Sequence, residues 1–211
     1  FYLANTNDYK SFMKNLLSGE KVSLDGYLPW LKNTGIPASR DGKLKIRNTH
    51  RNEIGNQFEL IYNSESLAVG VGCERGTSVN ELISLVQTTL ENNNLSKASV
   101  AVFVSIEQKM DEIAINAIAD FFNKPLRFFN SVTLEEETPR LKNPSEIVFR
   151  EVGSHGVAEA SALAAVGRHG ELIVEKTKSR RATCAIAKTK TLIDPNSIGK
   201  ARGILSVVGL G

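Results

Sequence analysis

The stretch Leu67–Ser78, LAVGVGCERGTS, runs directly into VNELISLVQTTLENN at residues 79–93. Leu67, Val69 and Val71 alternate with small residues, the pattern of a buried strand. Gly72 and Gly76 let the following loop turn tightly, and Thr77 or Ser78 can cap a helix over 78–93. Glu81, three residues after Ser78, completes a capping-box pattern. Backbone amides exposed at such a helix start attract carboxylates or phosphates. Arg75 adds a fixed charge and a fork of donors suited to the same anions. The loop is therefore expected to read an anion at the C-terminal edge of a sheet. Its spacing matches neither the dinucleotide glycine pattern nor the phosphate-loop pattern GxxxxGK(S/T), so nucleotide binding is not indicated.

The regular pattern continues downstream. A strand at 98–104 precedes a helix at Asp111–Phe122 and a short strand at Leu126–Phe129. Pro144–Val152 and the alanine-rich Val157–Val166 read as helices. Strands at Glu171–Glu175 and Ala182–Lys188 follow, separated by the charged turn KTKSRR. This alternation predicts an α/β fold: a three-layer domain with a mostly parallel sheet and helices on both faces. The last two strands are expected to form an antiparallel hairpin at one edge. Upstream, a helix over Asn7–Leu17 and short strands at Val22–Leu24, Leu44–Ile46 and Phe58–Tyr62 lie among turn formers, the reading of a partial second α/β domain. Trp30 there reads as a packing residue. Thr189–Ala201 is polar and linker-like, and Gly203–Gly211, GILSVVGLG, reads as an apolar strand ending in a glycine turn.

A chain of 211 residues can bury a sizeable core. No apolar run approaches the ~20 residues a membrane helix requires, and no secretory signal is present. The chain opens on Phe1, so it is expected to begin inside a longer polypeptide. Its two cysteines, Cys73 and Cys184, lie in different motifs, which suits a reducing cytoplasm. The net charge of +3 conceals a gradient: +2 over residues 1–66, −5 over 67–137 and +6 over 138–211. The basic third suits a polyanionic small molecule. It lacks the interleaved aromatics of a nucleic-acid surface, so no nucleic-acid partner is expected.

Three further loops carry chemistry. SIEQKMDE at 105–112 follows a sheet strand and should open on the same edge as the glycine loop. Lys109 there can hold a carboxylate and Glu112 or Glu107 can act as a general base; alternatively the acids offset the dipole of a capped helix. In GSHGVAE, 153–159, His155 and Glu159 are four apart and share a face if the helix starts early, which would let them share a proton. Glu159 opens an otherwise apolar run, where a carboxylate is costly unless a partner or ligand satisfies it. It reads equally as a first-turn glutamate. Cys73, beside Arg75, is either a nucleophile of lowered pKa or a small buried residue; Cys184 reads as core. Lys176 reaches the cleft or stays solvated. His50 and His169 have no metal-ligand spacing around them, so no protein-bound metal is expected.

Together, GVGCERGTS, SIEQKMDE, GSHGVAEASAL and LIVEKTKSRRATCAIAK resemble the C-terminal domain of the CbiG family of cobalamin (vitamin B12) biosynthesis, over roughly Leu67–Lys190. That family includes cobalt-precorrin-5A hydrolase and the single-domain CobE proteins. Residues 1–66 resemble the end of the hydrolase's middle domain. Residues 191–211 resemble a linker and the first strand of a tetrapyrrole methyltransferase such as precorrin-3B carbon-17 methyltransferase, implying a fusion with a methyltransferase domain. With only that strand present, methyl transfer is not expected of this chain, and S-adenosylmethionine would serve only the absent domain.

The resemblance implies hydrolytic opening of the ring A lactone of a cobalt corrinoid with release of acetaldehyde. It implies no cofactor bound by this segment, cobalt arriving with the substrate, and partners among the other cytoplasmic enzymes of the pathway. Glu159 or Glu112 is the expected base and Lys109 an electrostatic group. Gly72, Cys73, Arg75, Gly76, Thr77, Ser78, His155 and Lys176 are the expected substrate contacts. A non-catalytic tetrapyrrole carrier is the alternative, and a purely structural linker a third.

Overall fold

A computed structural model describes residues 1–203 of the chain. The strand expected at Gly203–Gly211 therefore lies, from residue 204 on, outside the described residues. Two sheets are present. The first is built from β1 (Tyr2–Leu3), β2 (Val22–Asp25), β3 (Leu44–Asn48) and β4 (Glu59–Asn63), in the order β1-β4-β3-β2. The β2, β3 and β4 strands are parallel and β1 is antiparallel to β4. Helix α1 (Tyr9–Leu17) buries Phe12 against Val22, Leu44, Ile46 and Leu60. Trp30 packs between Phe1 and Tyr62, as expected of a packing residue.

The second sheet contains β5 (Leu67–Cys73), β6 (Val100–Ile106), β7 (Leu126–Phe129), β8 (Glu171–Lys178) and β9 (Ala182–Lys188), in the order β7-β6-β5-β9-β8. The first three are parallel, and β8–β9 is an antiparallel hairpin paired through β9 to β5, so the sheet is mixed. The β6 strand is buried along its whole length, as a central parallel strand covered on both faces must be.

The alternation in β5 sorts the helices. Leu67, Val69 and Val71 face α2 (Val79–Asn92) and α3 (Ile113–Phe122), which supply Leu82, Val86, Leu90, Ile115 and Ile118. Ala68 faces α6 (Ala158–Val166) on the other side. The backbone of α6 lies so close to the sheet that a methyl group on Gly70 would overlap the Ala158 carbonyl. Two short helices, α4 (Ser131–Glu135) and α5 (Glu146–Val152), complete that face.

Residues 189–200, polar enough to read as a linker, lie along the sheet edge. Ile193 is buried, Arg127 donates to the Pro195 carbonyl, and Phe128 and Lys200 exchange backbone hydrogen bonds of 2.8 Å. Among the described residues no helix is long and apolar enough to cross a membrane.

Candidate functional site

Because β5 and β6 are parallel, their C-terminal ends open on one edge, where β8 also ends and β9 begins. A cleft of about 330 Å³ lies there, bounded by β5, the 143–152 segment, the start of α6 and the β8–β9 turn. Of the residues singled out in the sequence, Gly72, Cys73, Lys109, Glu159 and Lys176 line it.

Glu159 is 2% exposed and fully engaged. Its Oε2 accepts the backbone N–H groups of Lys142 at 2.8 Å and Asn143 at 3.0 Å. Its Oε1 accepts the Lys176 N–H at 2.8 Å and the Asn143 side-chain amide at 2.9 Å. Burial alone would raise its pKa; the hydrogen bonds from Lys176, Asn143 and Lys142 outweigh it and hold the carboxyl below its ordinary value. A carboxylate saturated in this way is a weak base. Glu159 is a brace between α6, the 142–143 loop and β8. The Lys176 ammonium completes the brace by donating to the Asn143 carbonyl at 2.7 Å, and burial lowers its pKa.

The glycine loop departs from expectation in an instructive way. Gly76 does turn the chain, with φ +68°. Gly72 does not: it lies within β5, where a Cβ would come within 2.9 Å of Thr183 Oγ1. Ser78 precedes α2 without a side-chain capping bond, and Thr77 Oγ1 donates to the Glu74 carbonyl. Glu81 forms no capping box because it turns to the hairpin, accepting from Ser179 Oγ and the Arg181 N–H.

The anion read by this loop is one of the protein's own. Buried Glu112 accepts the Gly76 N–H at 3.2 Å from the foot of α3. Arg75 pairs with Asp111 and donates to the Gln108 carbonyl, stitching the same two loops together. Arg75, Gly76, Thr77, Ser78 and Glu112 do not line the cleft.

His155 and Glu159 do not pair, because α6 begins only at Ala158. His155 instead bonds Glu135 through Nδ1 at 2.8 Å and Glu146 through Nε2 at 3.3 Å, and stacks on Phe149. The Glu135 bond, with Glu146 beside it, raises its pKa. Cys73 is not an activated thiol: burial and then Glu112 push its pKa up, overriding Lys109, Thr77 and Arg181.

Sequence reading missed Lys178, Arg180 and Arg181, which line the cleft from the hairpin. The signal was the KTKSRR run. It reads as a solvated turn, yet β8 extends through Lys178 and only residues 179–181 turn. Arg181 is committed to Glu74 and to the carbonyls of Arg75 and Gly76. Among the described residues, Lys109, Lys178 and Arg180 have no carboxylate within ion-pair distance, and of the lining acids Glu151 has neither an ion pair nor a side-chain hydrogen bond, whereas Glu74 pairs with Arg181 and Glu159 accepts from N–H groups. No group of three or more His, Cys, Asp or Glu side chains is placed to hold a metal among the described residues.

Residues 67–187 match the family model described as cobalamin synthesis G C-terminus. The chain belongs to this family. Its cobalamin synthesis G relatives include protein CobE of a Sinorhizobium species, 41% identical over 138 residues that cover 65% of this chain and 90% of the relative. The cobalt-precorrin-5A hydrolase of Priestia megaterium is 30% identical over 159 residues, covering 73% of this chain and 41% of the hydrolase. The crystal structure of CobE, a protein of the cobalamin biosynthetic pathway, superposes with a TM-score of 0.56 at 34% identity, covering 59% of this chain and 90% of that one. A cobalamin biosynthesis protein G homologue from Sulfolobus solfataricus gives 0.51 at 25% identity, covering 89% of this chain and 56% of that one. The chain thus spans less than half of the hydrolase it matches.

Proposed function

We propose that this chain supplies the corrinoid-binding part of cobalt-precorrin-5A hydrolase, acting in cobalamin biosynthesis to open the ring A lactone of a cobalt corrinoid with loss of acetaldehyde. The observation that carries the reading is the free charge of the cleft. Lys109, Lys178 and Arg180 face a space whose apolar lining includes Val148, Val152, Val157 and Ala158. An apolar floor with uncommitted cations suits a flat macrocycle fringed with acetate and propionate arms.

Lactone opening requires water to add to the carbonyl carbon, with cations stabilising the developing oxyanion and a base taking the proton. Lys109 keeps its electrostatic role. Glu159 and Glu112 act as positioning residues, since both are bonded to backbone N–H groups. Glu151, the uncommitted lining carboxylate, takes the proton. Collapse breaks the lactone C–O bond and leaves a carboxylate and a hydroxyethyl group. Loss of the hydroxyl proton with C–C cleavage then expels acetaldehyde, the electron pair passing into the macrocycle, which is reprotonated. A second reading, a carrier that binds the corrinoid without chemistry, is favoured by the saturation of Glu159.

The deciding experiment is titration with a cobalt corrinoid lactone, following visible absorbance while trapping acetaldehyde. A spectral change with acetaldehyde supports the hydrolase. A spectral change alone supports the carrier, and neither signal refutes both.

A further inference from the structure

The size and charge of the cleft limit how much of a corrinoid it can hold. At about 330 Å³ it lies near the small end of the roughly 300–1,000 Å³ found for sites that enclose one drug-sized ligand. A corrinoid, with four reduced pyrrole rings around cobalt, is larger than that. Its acid arms also outnumber the three free cations, Lys109, Lys178 and Arg180. Those cations are divided between two walls: Lys109 follows β6, while Lys178 and Arg180 stand on the hairpin. The hairpin wall is braced from within, because Glu159 ties the Lys176 backbone to the 142–143 loop.

We infer that the cleft grips one edge of the macrocycle: a single reduced pyrrole ring enters between the walls, its acetate and propionate reach Lys109 on one side and Lys178 and Arg180 on the other, and cobalt stays outside. This rests on the corrinoid reading above. It leaves the opposite edge of the bound macrocycle outside the cleft.

The test uses two probes with the whole chain. One is a monopyrrole bearing one acetate and one propionate; the other is cobyrinic acid, a cobalt corrinoid with free acid arms. The monopyrrole is expected to shift the amide resonances of Val148, Val157 and Ala158 and to be displaced by cobyrinic acid. Lys178→Gln/Arg180→Gln should weaken both ligands by the same factor, about tenfold. Cyanide should convert bound cobyrinic acid to its dicyano form as fast as it converts the free compound.

Cobyrinic acid binding without competition from the monopyrrole, or cyanide addition strongly slowed by binding, overturns the edge grip while the corrinoid reading stands. If neither ligand binds, both fall.

Discussion

Glu159 Oε1 accepts the Lys176 backbone N–H at 2.8 Å, so a carboxylate on the first turn of α6 fixes the position of β8 in the wall of the cleft. The same side chain holds two N–H groups of the 142–143 loop. This one residue thus ties three segments of the cleft together, and the Lys176 ammonium adds a further bond to the Asn143 carbonyl. Glu159→Gln replaces one accepting oxygen by a donor that faces other donors, and should cost about 2–3 kcal/mol in urea unfolding. The folded pKa is depressed, so the stabilisation is present above the unfolded-state value and lost as pH falls through the folded one. The stability gap between wild type and Glu159→Gln should therefore close under acid conditions.

The glycines of the opening stretch should separate by mechanism. Gly70→Ala drives a methyl group into the Ala158 carbonyl, and backbone cannot swing away as a flexible side chain can. Overpacking of this kind costs about 1–3 kcal/mol and displaces α6. Gly76→Ala meets open space and carries only the left-handed backbone penalty, about 1 kcal/mol. Thermal or urea denaturation of the two variants should rank them in that order.

Two histidines should give opposite pH signatures. Burial, then Lys188 and Arg51, lowers the His50 pKa to about 4. The unfolded state then binds more protons between about 4 and 6.5, so His50 makes stability rise with pH across that window. The pKa of His155 is raised by Glu135 and Glu146, so its contribution is complete below the unfolded value and lost as pH rises through the folded one. His50→Gln should flatten the acid limb of a stability–pH curve, and His155→Gln the neutral limb.

Neither thiol should react readily in the native protein. Burial pushes Cys184 up to about 12 and, with Glu112, raises Cys73 as well. Alkylation by iodoacetamide at pH 7.5 should be slow at both and become fast at both in denaturant.

Much of this was readable in advance, for definable reasons. The apolar–small alternation of β5 announced its burial, whereas the approach of the α6 backbone to Gly70 shows only in the structure. Glu159 stood out as a carboxylate in an apolar helix, but its partners lie 16–17 residues away on either side, beyond any local spacing rule. The five-residue α4 and the two-residue β1 are too short for periodicity to show. Lys178 and Arg180 hid in a run whose charges read as solvent-facing; only Thr177, bonded inward to Thr89 and Cys184, marks that run as strand. The anion-reading loop was legible as chemistry, but nothing local could show that Glu112 fills it.

The catalytic assignment makes a separable prediction. Glu151→Gln should abolish acetaldehyde release while leaving corrinoid affinity within about threefold of wild type, since a rim carboxylate contributes little to binding polyacids. Equal loss of binding and turnover would remove Glu151 from the chemistry.

The central claim is that free cations in this cleft bind a cobalt corrinoid. Its most direct test is to titrate the cobalt corrinoid lactone into wild type and into Lys109→Gln/Lys178→Gln/Arg180→Gln, following visible absorbance at two salt concentrations. Saturable binding by wild type that weakens with salt, and at least tenfold weaker binding by the triple variant, is the predicted result. Identical titrations for the two proteins, or no spectral change with either, would contradict it.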